Sequence, residues 1–265
     1  MKTIVIYCVN YHSYDSLYNY LNSIDTAVEH TADPIRLTVA VADNTMPAVA
    51  INYVPQHFSM RVIPTNENKG YFKAIRLLME AIDPKSFDYA IISNVDVLVS
   101  NDFFSALSSF THPSNRLGWI APEIYSKAQN FDFNPQAVTR YSLKKLKALR
   151  LMFKYPWILW LKQKLLHKYR NVKIHRSGQI YAGHGSFIIL TNLFFREYGI
   201  IDYPQFLYGE EIYLAEVCRR HQLQVYYVPQ IRIVDIGRVS TGNIPSRQFC
   251  HYNHDAIDYI IKTFY

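Results

Sequence analysis

One apolar run with a polar end constrains this chain more than any other feature. Residues 89–93 are largely apolar, Asn94-Val95-Asp96 follows, and residues 97–99 form a second short apolar run. A buried strand that ends in oxygen ligands can hold a divalent cation, because Mg²⁺ and Mn²⁺ are usually bound by few carboxylates together with phosphate oxygens. Ligands of open α/β sheets also bind at the carboxyl ends of strands. The pattern therefore predicts a metal-binding carboxylate, Asp96, at the edge of an α/β sheet.

Strand patterns and helix patterns alternate along the chain. In the first half, strands are predicted at residues 3–9, 37–42, 61–64 and 89–93, and helices at 13–30 and 69–82. In the second half, strands are predicted at 186–190 and 224–228, and helices at 208–222 and 252–264. This alternation favours an α/β fold with a single Rossmann-like, mostly parallel sheet flanked by helices. No linker rich in Gly, Ser or Pro divides the 265 residues, so we expect a single domain, 1–265.

The net charge of +7 is concentrated in one segment. Residues 140–176 contain twelve Lys or Arg and no Asp or Glu. Removing these twelve from the 28 basic residues leaves 16 against 21 acidic residues, a balance of −5. The chain is therefore mildly acidic apart from one basic insert, and this asymmetry indicates a local partner surface rather than general affinity for nucleic acid.

The basic insert has the pattern of two amphipathic helices separated by Pro156, and its first apolar face carries Leu143, Leu146, Leu149 and Phe153. The pattern predicts docking on an anionic membrane surface. The docking residues would be Lys144, Lys145, Lys147, Trp157, Trp160, Lys162 and Lys164. The alternative is a solvated hairpin whose apolar side packs on the rest of the domain or on a second subunit of a homodimer. No nucleic acid is expected as a partner, because the aromatic residues follow helical spacing.

Polar residues also follow the first two predicted strands. Asn10-Tyr11 comes after the first strand, and Asp43-Asn44 comes after the second. In a parallel sheet these residues meet Asn94 and Asp96 at one edge, where the carboxylate of Asp43 can accept hydrogen bonds from a base or a ribose. The alternative for Asp43 is an ordinary turn, because Asp and Asn are common turn residues.

A further polar segment, Asn68-Lys69-Gly70, precedes a predicted helix. Asn68 can cap that helix, which is an ordinary structural role. Alternatively, Gly70 allows close approach of the backbone to a ligand, and free N–H groups at the helix start would favour phosphate.

The motifs occur in a definite order along residues 3–235. Asn10-Tyr11, Val41-Ala42-Asp43-Asn44, Asn68-Lys69-Gly70-Tyr71 and Asn94-Val95-Asp96 are followed by Gly183-His184-Gly185-Ser186-Phe187, Phe206-Leu207-Tyr208-Gly209-Glu210-Glu211-Ile212-Tyr213-Leu214 and Val225-Tyr226-Tyr227-Val228-Pro229. No single motif is specific. Their order and spacing together resemble family 2 glycosyltransferases with the GT-A fold, in a rhamnosyltransferase-like bacterial branch.

The resemblance implies transfer of a sugar, with inversion, from a nucleotide-diphosphate donor to a hydroxyl group of an acceptor. The basic insert and the lack of a secretion signal add the expectation of a glycan or lipid-linked acceptor in bacterial surface polysaccharide synthesis. The resemblance also implies donor binding by Asn10, Tyr11, Asp43, Asn44, Asn68, Gly70 and Asn94, and acceptor contacts by Gly183, His184 and Gly185. Asp96 would hold the Mg²⁺ or Mn²⁺ that bridges the donor phosphates, and Glu211, beside Glu210, would be the general base. Residues 1–110 would form the nucleotide-sugar-binding half, 111–238 the acceptor half with the basic insert 140–176, and 239–265 a C-terminal helical tail.

The chemistry of sugar transfer agrees with these residue types. A base must take the proton of the acceptor hydroxyl, and a cation must stabilise the departing diphosphate. Two adjacent glutamates at the start of a helix lie near the positive end of its dipole, which favours ionised carboxylates. Glu210 and Glu211 are therefore expected to be charged and available for this task.

Four positions depart from the family pattern. Asn94 stands where an acid is expected, so a single carboxylate would hold the metal. Glu211 is one methylene longer than the expected Asp, which leaves the choice of base between Glu210 and Glu211 open. Arg76 replaces an Asn of the relatives, and Asp235 replaces a His that can reach the metal. Asp235 is either a substitute oxygen ligand or a turn acid.

Two other functions fit parts of the pattern. A sugar nucleotidyltransferase would carry a glycine-rich loop after the first strand, where Asn10-Tyr11-His12 has no glycine. A non-catalytic membrane-surface or carbohydrate-binding module is compatible with the departures from the family pattern. Three cysteines without a C-x-x-C pair, no signal-peptide pattern and no apolar span of about 18–20 residues favour a cytoplasmic protein, peripheral at the inner face of the cell membrane.

Overall fold

Four parallel strands bring the polar motifs of the first half to one edge of a sheet. The computed structural model describes residues 1–158, 176–237 and 246–265. Strands Lys2–Asn10 (β1), Ile35–Asp43 (β2), Ser59–Pro64 (β3) and Tyr89–Ser93 (β4) pair in the order β3-β2-β1-β4. Because Asn10 is opposite Asp43 and Cys8 is opposite Ser93, the carboxyl ends of three strands lie side by side. The predicted strands are confirmed, as are the helices Tyr14–Glu29 (α1) and Phe72–Ala81 (α2).

The second half of the sheet is mixed. It adds Val97–Val99 (β5), Leu117–Ser126 (β6), Phe131–Asp132 (β7), Gly178–Ile180 (β8), Phe187–Thr191 (β9) and Gln224–Asp235 (β10). The order continues β4-β9-β6-β10-β5, and among these described strands only β6 and β10 pair in parallel. The prediction of a mostly parallel sheet is therefore accurate for the first half, within a ten-stranded mixed sheet. Apolar patterns indicate that a strand is buried, but they do not indicate its direction.

Helices cover both faces of the sheet, as the alternating pattern predicts. In β1, Val5 and Tyr7 point into one core and Ile4 and Ile6 into the other, because successive side chains of a strand alternate. The second core is covered by α1 and Phe103–Ser109 (α3). The first is covered by α2, Leu143–Lys154 (α4), Asn192–Glu197 (α5), Glu210–Arg220 (α6) and Ser246–Phe264 (α7). Burial of each large apolar side chain contributes about 1.5–3 kcal/mol, so both cores hold the strand ends in place.

Helix α4, the described part of the basic insert, packs its apolar face on the domain. Leu146 is buried in the first core, and Leu149 and Phe153 pack against that core. The guanidinium of Arg150 forms a salt bridge of 2.6 Å with the carboxylate of Asp258 on α7. For α4, the alternative of packing on the domain is therefore confirmed, whereas the predicted docking residues Trp160, Lys162 and Lys164 lie outside the described residues.

The three cysteines are structural. Cys8, Cys218 and Cys250 are free and buried. Burial raises the pKa of the Cys8 thiol to about 12, which makes it a poor nucleophile at neutral pH. In the described parts of the chain, no helix has both the length and the apolar character that crossing a membrane requires.

Candidate active site

A cleft of about 540 Å³ opens at the carboxyl edge of the parallel strands, and both halves of the chain line it. The sequence-predicted residues that line it are Tyr11, Asn44, Asn68, Gly70, Asn94, Asp96, His184, Gly185, Glu210, Glu211 and Asp235. The predicted residues Asn10, Asp43 and Gly183 are not part of the lining. The fold thus brings most of the motifs to one place, although they are spread over more than 200 residues of chain.

Two buried aspartates line the cleft from neighbouring backbone segments. Asp96 precedes β5 and Asp235 ends β10, and the antiparallel pairing of these strands places Asp235 opposite Val97. The backbone N–H of Ile236 donates to the carbonyl oxygen of Asp96 at 3.2 Å, which holds the two segments in register. Both aspartates line the cleft, although they are only 8% and 9% exposed.

This pair of carboxylates fits a Mg²⁺ or Mn²⁺ ion that also takes oxygen ligands from a substrate. Such ions typically use one or two carboxylates together with phosphate oxygens. Among residues 1–158, 176–237 and 246–265, no group of three or more His, Cys, Asp or Glu is arranged to hold a metal on its own. Asp96 and Asp235 would therefore supply at most two carboxylates, with water or a substrate providing the other ligands.

Asn10 and Asp43 support the cleft from behind. The side-chain amide of Asn10 donates to Oδ1 of Asp43 at 3.0 Å, and so does the backbone N–H of Thr45 at 3.1 Å. The hydroxyl of Tyr14 donates to Oδ2 of Asp43 at 2.8 Å. Both oxygens of the buried Asp43 therefore already accept hydrogen bonds. In this structure Asp43 orders the loop after β2. Neither Asn10 nor Asp43 lines the cleft, so their expected contact with a base stays a prediction.

The loop before α2 is held by side-chain amides. Asn44 donates from Nδ2 to the carbonyl oxygen of Gly70 at 2.9 Å, and Asn68 accepts from the backbone N–H of Gly70 at 3.0 Å. The backbone N–H of Tyr71 donates to the carbonyl oxygen of Phe206 at 3.1 Å. Asn68 is therefore not the predicted helix cap, because α2 begins at Phe72 with Tyr71 at its N-cap position. The N–H groups of Gly70 and Tyr71 are also already used, so neither is free for a phosphate.

Gly70 is required by geometry. Its φ of +78° belongs to the left-handed region, and a Cβ atom there would come within 2.2 Å of the carbonyl oxygen of Phe206. The close approach of these two backbones joins the loop before α2 to the segment that precedes α6. Gly70 is thus a structural contact between the two sides of the cleft.

The loop before β9 closes the cleft on the other side. Gly183 packs against the sheet, where a Cβ atom would lie 2.8 Å from Ala121 and 2.9 Å from Trp119. His184 lines the cleft with its ring stacked on Phe133, at 4.9 Å between centroids and 16° between planes. Gly183 therefore acts through packing, whereas the ring of His184 lines the cleft.

Gly185 holds one of the two glutamates. Its backbone N–H donates to Oε1 of Glu211 at 3.2 Å, and a Cβ atom at this position would come within 2.7 Å of the same oxygen. Only a glycine allows this contact without a shift. The carboxylate of Glu211 is therefore oriented in the cleft by the loop before β9.

The two glutamates at the start of α6 differ in environment. Glu210 is 6% exposed, whereas Glu211 is partly exposed. Burial, and then the charge of Glu211, raise the pKa of Glu210 to about 8, although hydrogen bonds from the backbone of Glu210 and Tyr208 lower it. At Glu210, desolvation thus opposes the helix dipole, which favours the ionised form.

An aromatic wall, which sequence reasoning missed, completes the cleft. It consists of Phe206, Tyr208, Phe249 and Tyr252, with Gln248 beside them. The rings of Phe206 and Tyr252 are 5.1 Å apart, and those of Tyr208 and Phe249 are 5.2 Å apart. The available signal was the pair of aromatic residues at positions 249 and 252, three residues apart. It was missed because the predicted helix began at residue 252, whereas α7 begins at Ser246.

The remaining sequence candidates lie away from the cleft. Arg76 is exposed on α2 and pairs with Glu80 and Asp202, so its departure from the family pattern leaves the cleft unchanged. The predicted docking residues on α4 and just after it are exposed at the surface: Lys144, Lys145, Lys147 and Trp157.

Known proteins resemble this chain in structure but not in sequence. No protein-family model and no curated protein matches the sequence. GalNAc-T7 with UDP, GalNAc and Mn²⁺ aligns over 92% of this chain and 45% of its own, at a TM-score of 0.56 and 13% identity. S. aureus TarS in complex with UDP-GlcNAc aligns over 100% of this chain and 71% of its own, at a TM-score of 0.54 and 10% identity. The chain has the GT-A fold.

A third GT-A structure agrees with this result. The mannosyltransferase PcManGT from Pyrobaculum calidifontis, in complex with GDP-Man and Mn²⁺, aligns over 98% of this chain and 72% of its own, at a TM-score of 0.51 and 10% identity. At such low identity the likeness establishes the GT-A fold. The chain spans less than half of the GalNAc-T7 chain.

Proposed function

We propose that this protein is an inverting glycosyltransferase that moves a sugar from a nucleotide-diphosphate donor to a hydroxyl group of a glycan or lipid-linked acceptor. The observation that carries the proposal is one cleft lined by two carboxylate pairs, Asp96 with Asp235 and Glu210 with Glu211. Sugar transfer uses carboxylates at two places: they hold a cation at the leaving diphosphate, and one acts as a base at the attacking hydroxyl. The GT-A fold supports the assignment, because structures with that fold hold UDP-GlcNAc and GDP-Man.

The donor would bind against the loops that follow the parallel strands. Tyr11 is 38% exposed and offers a ring face to a base or ribose, and Asn94 lies next to the acidic pair. Asp96 and Asp235 would hold a Mg²⁺ or Mn²⁺ ion. When bound, this cation would neutralise charge on the diphosphate as its bond to the sugar breaks. Asn44 and Asn68 would keep the loop before α2 in place against the donor.

Glu211 is the residue that we assign as general base. The N–H of Gly185 orients Oε1, and the side chain reaches the cleft. Glu211 would take the proton of the acceptor hydroxyl while the hydroxyl oxygen bonds to the anomeric carbon. The bond from that carbon to the donor phosphate oxygen breaks on the opposite face, so the nucleotide diphosphate leaves with the electron pair and the configuration inverts. Glu210 is less suited as a base, because its raised pKa of about 8 leaves it mostly protonated at pH 7.

The acceptor would bind between the loop of His184 and the aromatic wall. Sugars present apolar C–H faces that pack on aromatic rings, and a pocket that orients a ligand adds a few polar groups. Tyr208, Tyr252 and Gln248 supply such polar groups beside the rings. This chemistry supports a glycan or lipid-linked acceptor. Together with the order of the motifs, it is also the basis for proposing a role in bacterial surface polysaccharide synthesis within a rhamnosyltransferase-like branch of family 2.

Thermal-shift measurements with a panel of nucleoside diphosphates, with and without Mn²⁺, test the donor site. We expect one nucleotide to raise the melting temperature only when the metal is present. Ligand at a hundred times its Kd stabilises a protein by about 2.7 kcal/mol, which such a scan detects. An assay of donor hydrolysis and sugar transfer completes the test. Metal-dependent nucleotide binding without any turnover would reject the enzyme and favour a non-catalytic binding module.

A further inference from the structure

Helix α4 has a polar face opposite its packed face. Residues 144, 147, 151 and 154 follow one another at helical spacing and therefore lie along one line of the helix surface. We call Lys144, Lys147, Leu151 and Lys154 the outer stripe. All four residues are exposed, whereas Leu146 on the other side of the helix is buried in the core. The apolar face that sequence analysis assigned to the insert is thus already used in folding, and the outer stripe is what α4 presents to its surroundings.

The outer stripe carries positive charge that the described chain does not neutralise. Helix α4 contains no acidic residue. Its Arg150 pairs with Asp258, and the ammonium groups of Lys145 and Lys154 lie 3.8 Å and 5.7 Å from the ring centroids of Tyr141 and Tyr155, which carry no charge. Lys144, Lys147 and Lys154 form no salt bridge with any residue that the structure describes. The stripe therefore favours a partner with negative charge.

Large apolar side chains are exposed at the C-terminal end of the same stripe. Leu151, Tyr155 and Trp157 are 53%, 42% and 64% exposed, within seven residues of chain. Clustered exposed apolar groups indicate an interaction site, unlike single ones scattered over a surface. Lysines and Leu151 on α4, with Tyr155 and Trp157 directly after its end, form a combination typical of segments that lie in the head-group region of a membrane.

We propose that the outer stripe, together with Tyr155 and Trp157, docks this protein on an anionic lipid bilayer, at the inner face of the cell membrane. The lysines would contact lipid head groups, and the three apolar side chains would enter the boundary between head groups and acyl chains. Nucleic acid or an acidic protein surface would match the lysines, but it would leave Leu151 and Trp157 without an apolar environment.

The docking surface is connected to the acceptor side of the cleft. Phe153 of α4 packs on Phe249 of α7, at 5.8 Å between ring centroids, and Phe249 belongs to the aromatic wall. Docking through α4 would therefore hold the acceptor side close to the bilayer, where a lipid-linked acceptor would be found. This last step rests on the proposed transferase function, whereas the docking itself does not.

Vesicle co-sedimentation of the full chain tests the proposal, with phosphatidylcholine vesicles that either contain or lack phosphatidylglycerol. We expect the wild type to bind only the anionic vesicles. The variant Lys144→Gln/Lys147→Gln/Lys154→Gln should partition about a hundredfold more weakly, since each lysine near an anionic surface contributes about fivefold. The matched control Lys73→Gln/Lys85→Gln/Lys127→Gln removes the same charge from exposed sites elsewhere and should bind like the wild type.

A second variant, Leu151→Ser/Trp157→Ser, tests the apolar part of the surface. It should bind the anionic vesicles more weakly than the wild type at every salt concentration. Its remaining binding should be lost in high salt, where the attraction between the lysines and the lipid head groups is screened. Circular dichroism melting curves establish that each variant is folded. A wild type that ignores anionic vesicles, or a stripe variant that binds them as well as the control does, overturns the proposal. Donor hydrolysis in free solution should be unaffected in the stripe variant, so absent turnover would count against the transferase alone.

Discussion

The proposed donor side and the proposed acceptor side of the cleft are built in different ways. On the donor side, Tyr11, Asn44, Asn94 and Asp96 each stand within three residues of the end of a parallel strand. On the proposed acceptor side, the lining comes from the loop before β9, the segment before α6 and the first two turns of α7. Strand ends of one parallel sheet meet at one edge by necessity, whereas loops and a C-terminal helix meet only because the cores position them.

The two sides also differ in what holds them in place. Asn44 and Asn68 fix the donor-side loop through directional hydrogen bonds, and the aromatic wall is held by ring packing. Hydrogen bonds lose most of their strength when their geometry is disturbed, whereas apolar packing tolerates a change of similar volume. Substitutions on the donor side should therefore have larger effects than those in the aromatic wall.

The largest effect is expected from Asp96→Asn, which keeps the shape of the side chain and removes its charge. Turnover should fall on the order of a thousandfold, because a preorganised electrostatic interaction with the leaving group is lost. Initial rates of transfer at saturating Mn²⁺ measure this effect. Asp102→Asn, an exposed change outside the cleft, is the control and should behave like the wild type. Full activity in Asp96→Asn would show that the donor side does not depend on this carboxylate.

The next effect distinguishes the two glutamates on the acceptor side. Glu211→Gln should lower kcat by about a hundredfold, the lower end of what general-base catalysis contributes. Glu210→Gln should cost far less, since Glu210 is mostly protonated at pH 7 and Gln resembles the neutral acid. Single-turnover rates of both variants provide the comparison. If Glu210→Gln were the more damaged enzyme, the base would have to be reassigned to Glu210.

The backbone contact between Gly70 and Phe206, which joins the two sides of the cleft, can be tested by replacing Gly70 with alanine. Gly70→Ala should lower the free energy of unfolding by about 2–3 kcal/mol, from a positive φ and from a forced shift of Phe206. Gly199→Ala is a matched control, because Gly199 has a φ of +95° but nothing lies within 4 Å of its added Cβ. It should cost only about 1–2 kcal/mol, the conformational part alone. Urea unfolding measures both, and equal losses would contradict the close contact at Gly70.

The smallest effect is expected in the aromatic wall. Tyr252→Ala removes a ring that packs on Phe206 and should raise the KM for the acceptor about tenfold, a typical loss for one aromatic contact. The KM for the donor should stay the same, since Tyr252 lies on the acceptor side. His251→Ala, an exposed neighbour on α7, is the control. An equal rise in both KM values would mean that the wall belongs to both substrates.

Much of the first half could be predicted from local patterns. The strand predicted at residues 89–93 is β4, Tyr89–Ser93, because a continuous apolar run bounded by polar residues suffices to indicate a buried strand. The role of Asn68 could not be predicted, since its partner Asn44 lies 24 residues away in the chain. The contacts of Asp43 with Tyr14 and Asn10 could not be predicted either, because these partners lie 29 and 33 residues away in the chain.

The sequence by itself determined where polar residues interrupt the apolar runs, and so which residues reach the edge of the sheet. Only the tertiary structure decided that β9 runs antiparallel between β4 and β6, that Glu210 is more buried than Glu211 although both line the cleft, and that the first two turns of α7 form part of a wall. The physical reason is how far apart in the chain the interacting residues lie. Periodicity reflects neighbours a few residues apart, whereas strand direction, desolvation and the shape of a cleft depend on contacts between segments distant in the chain.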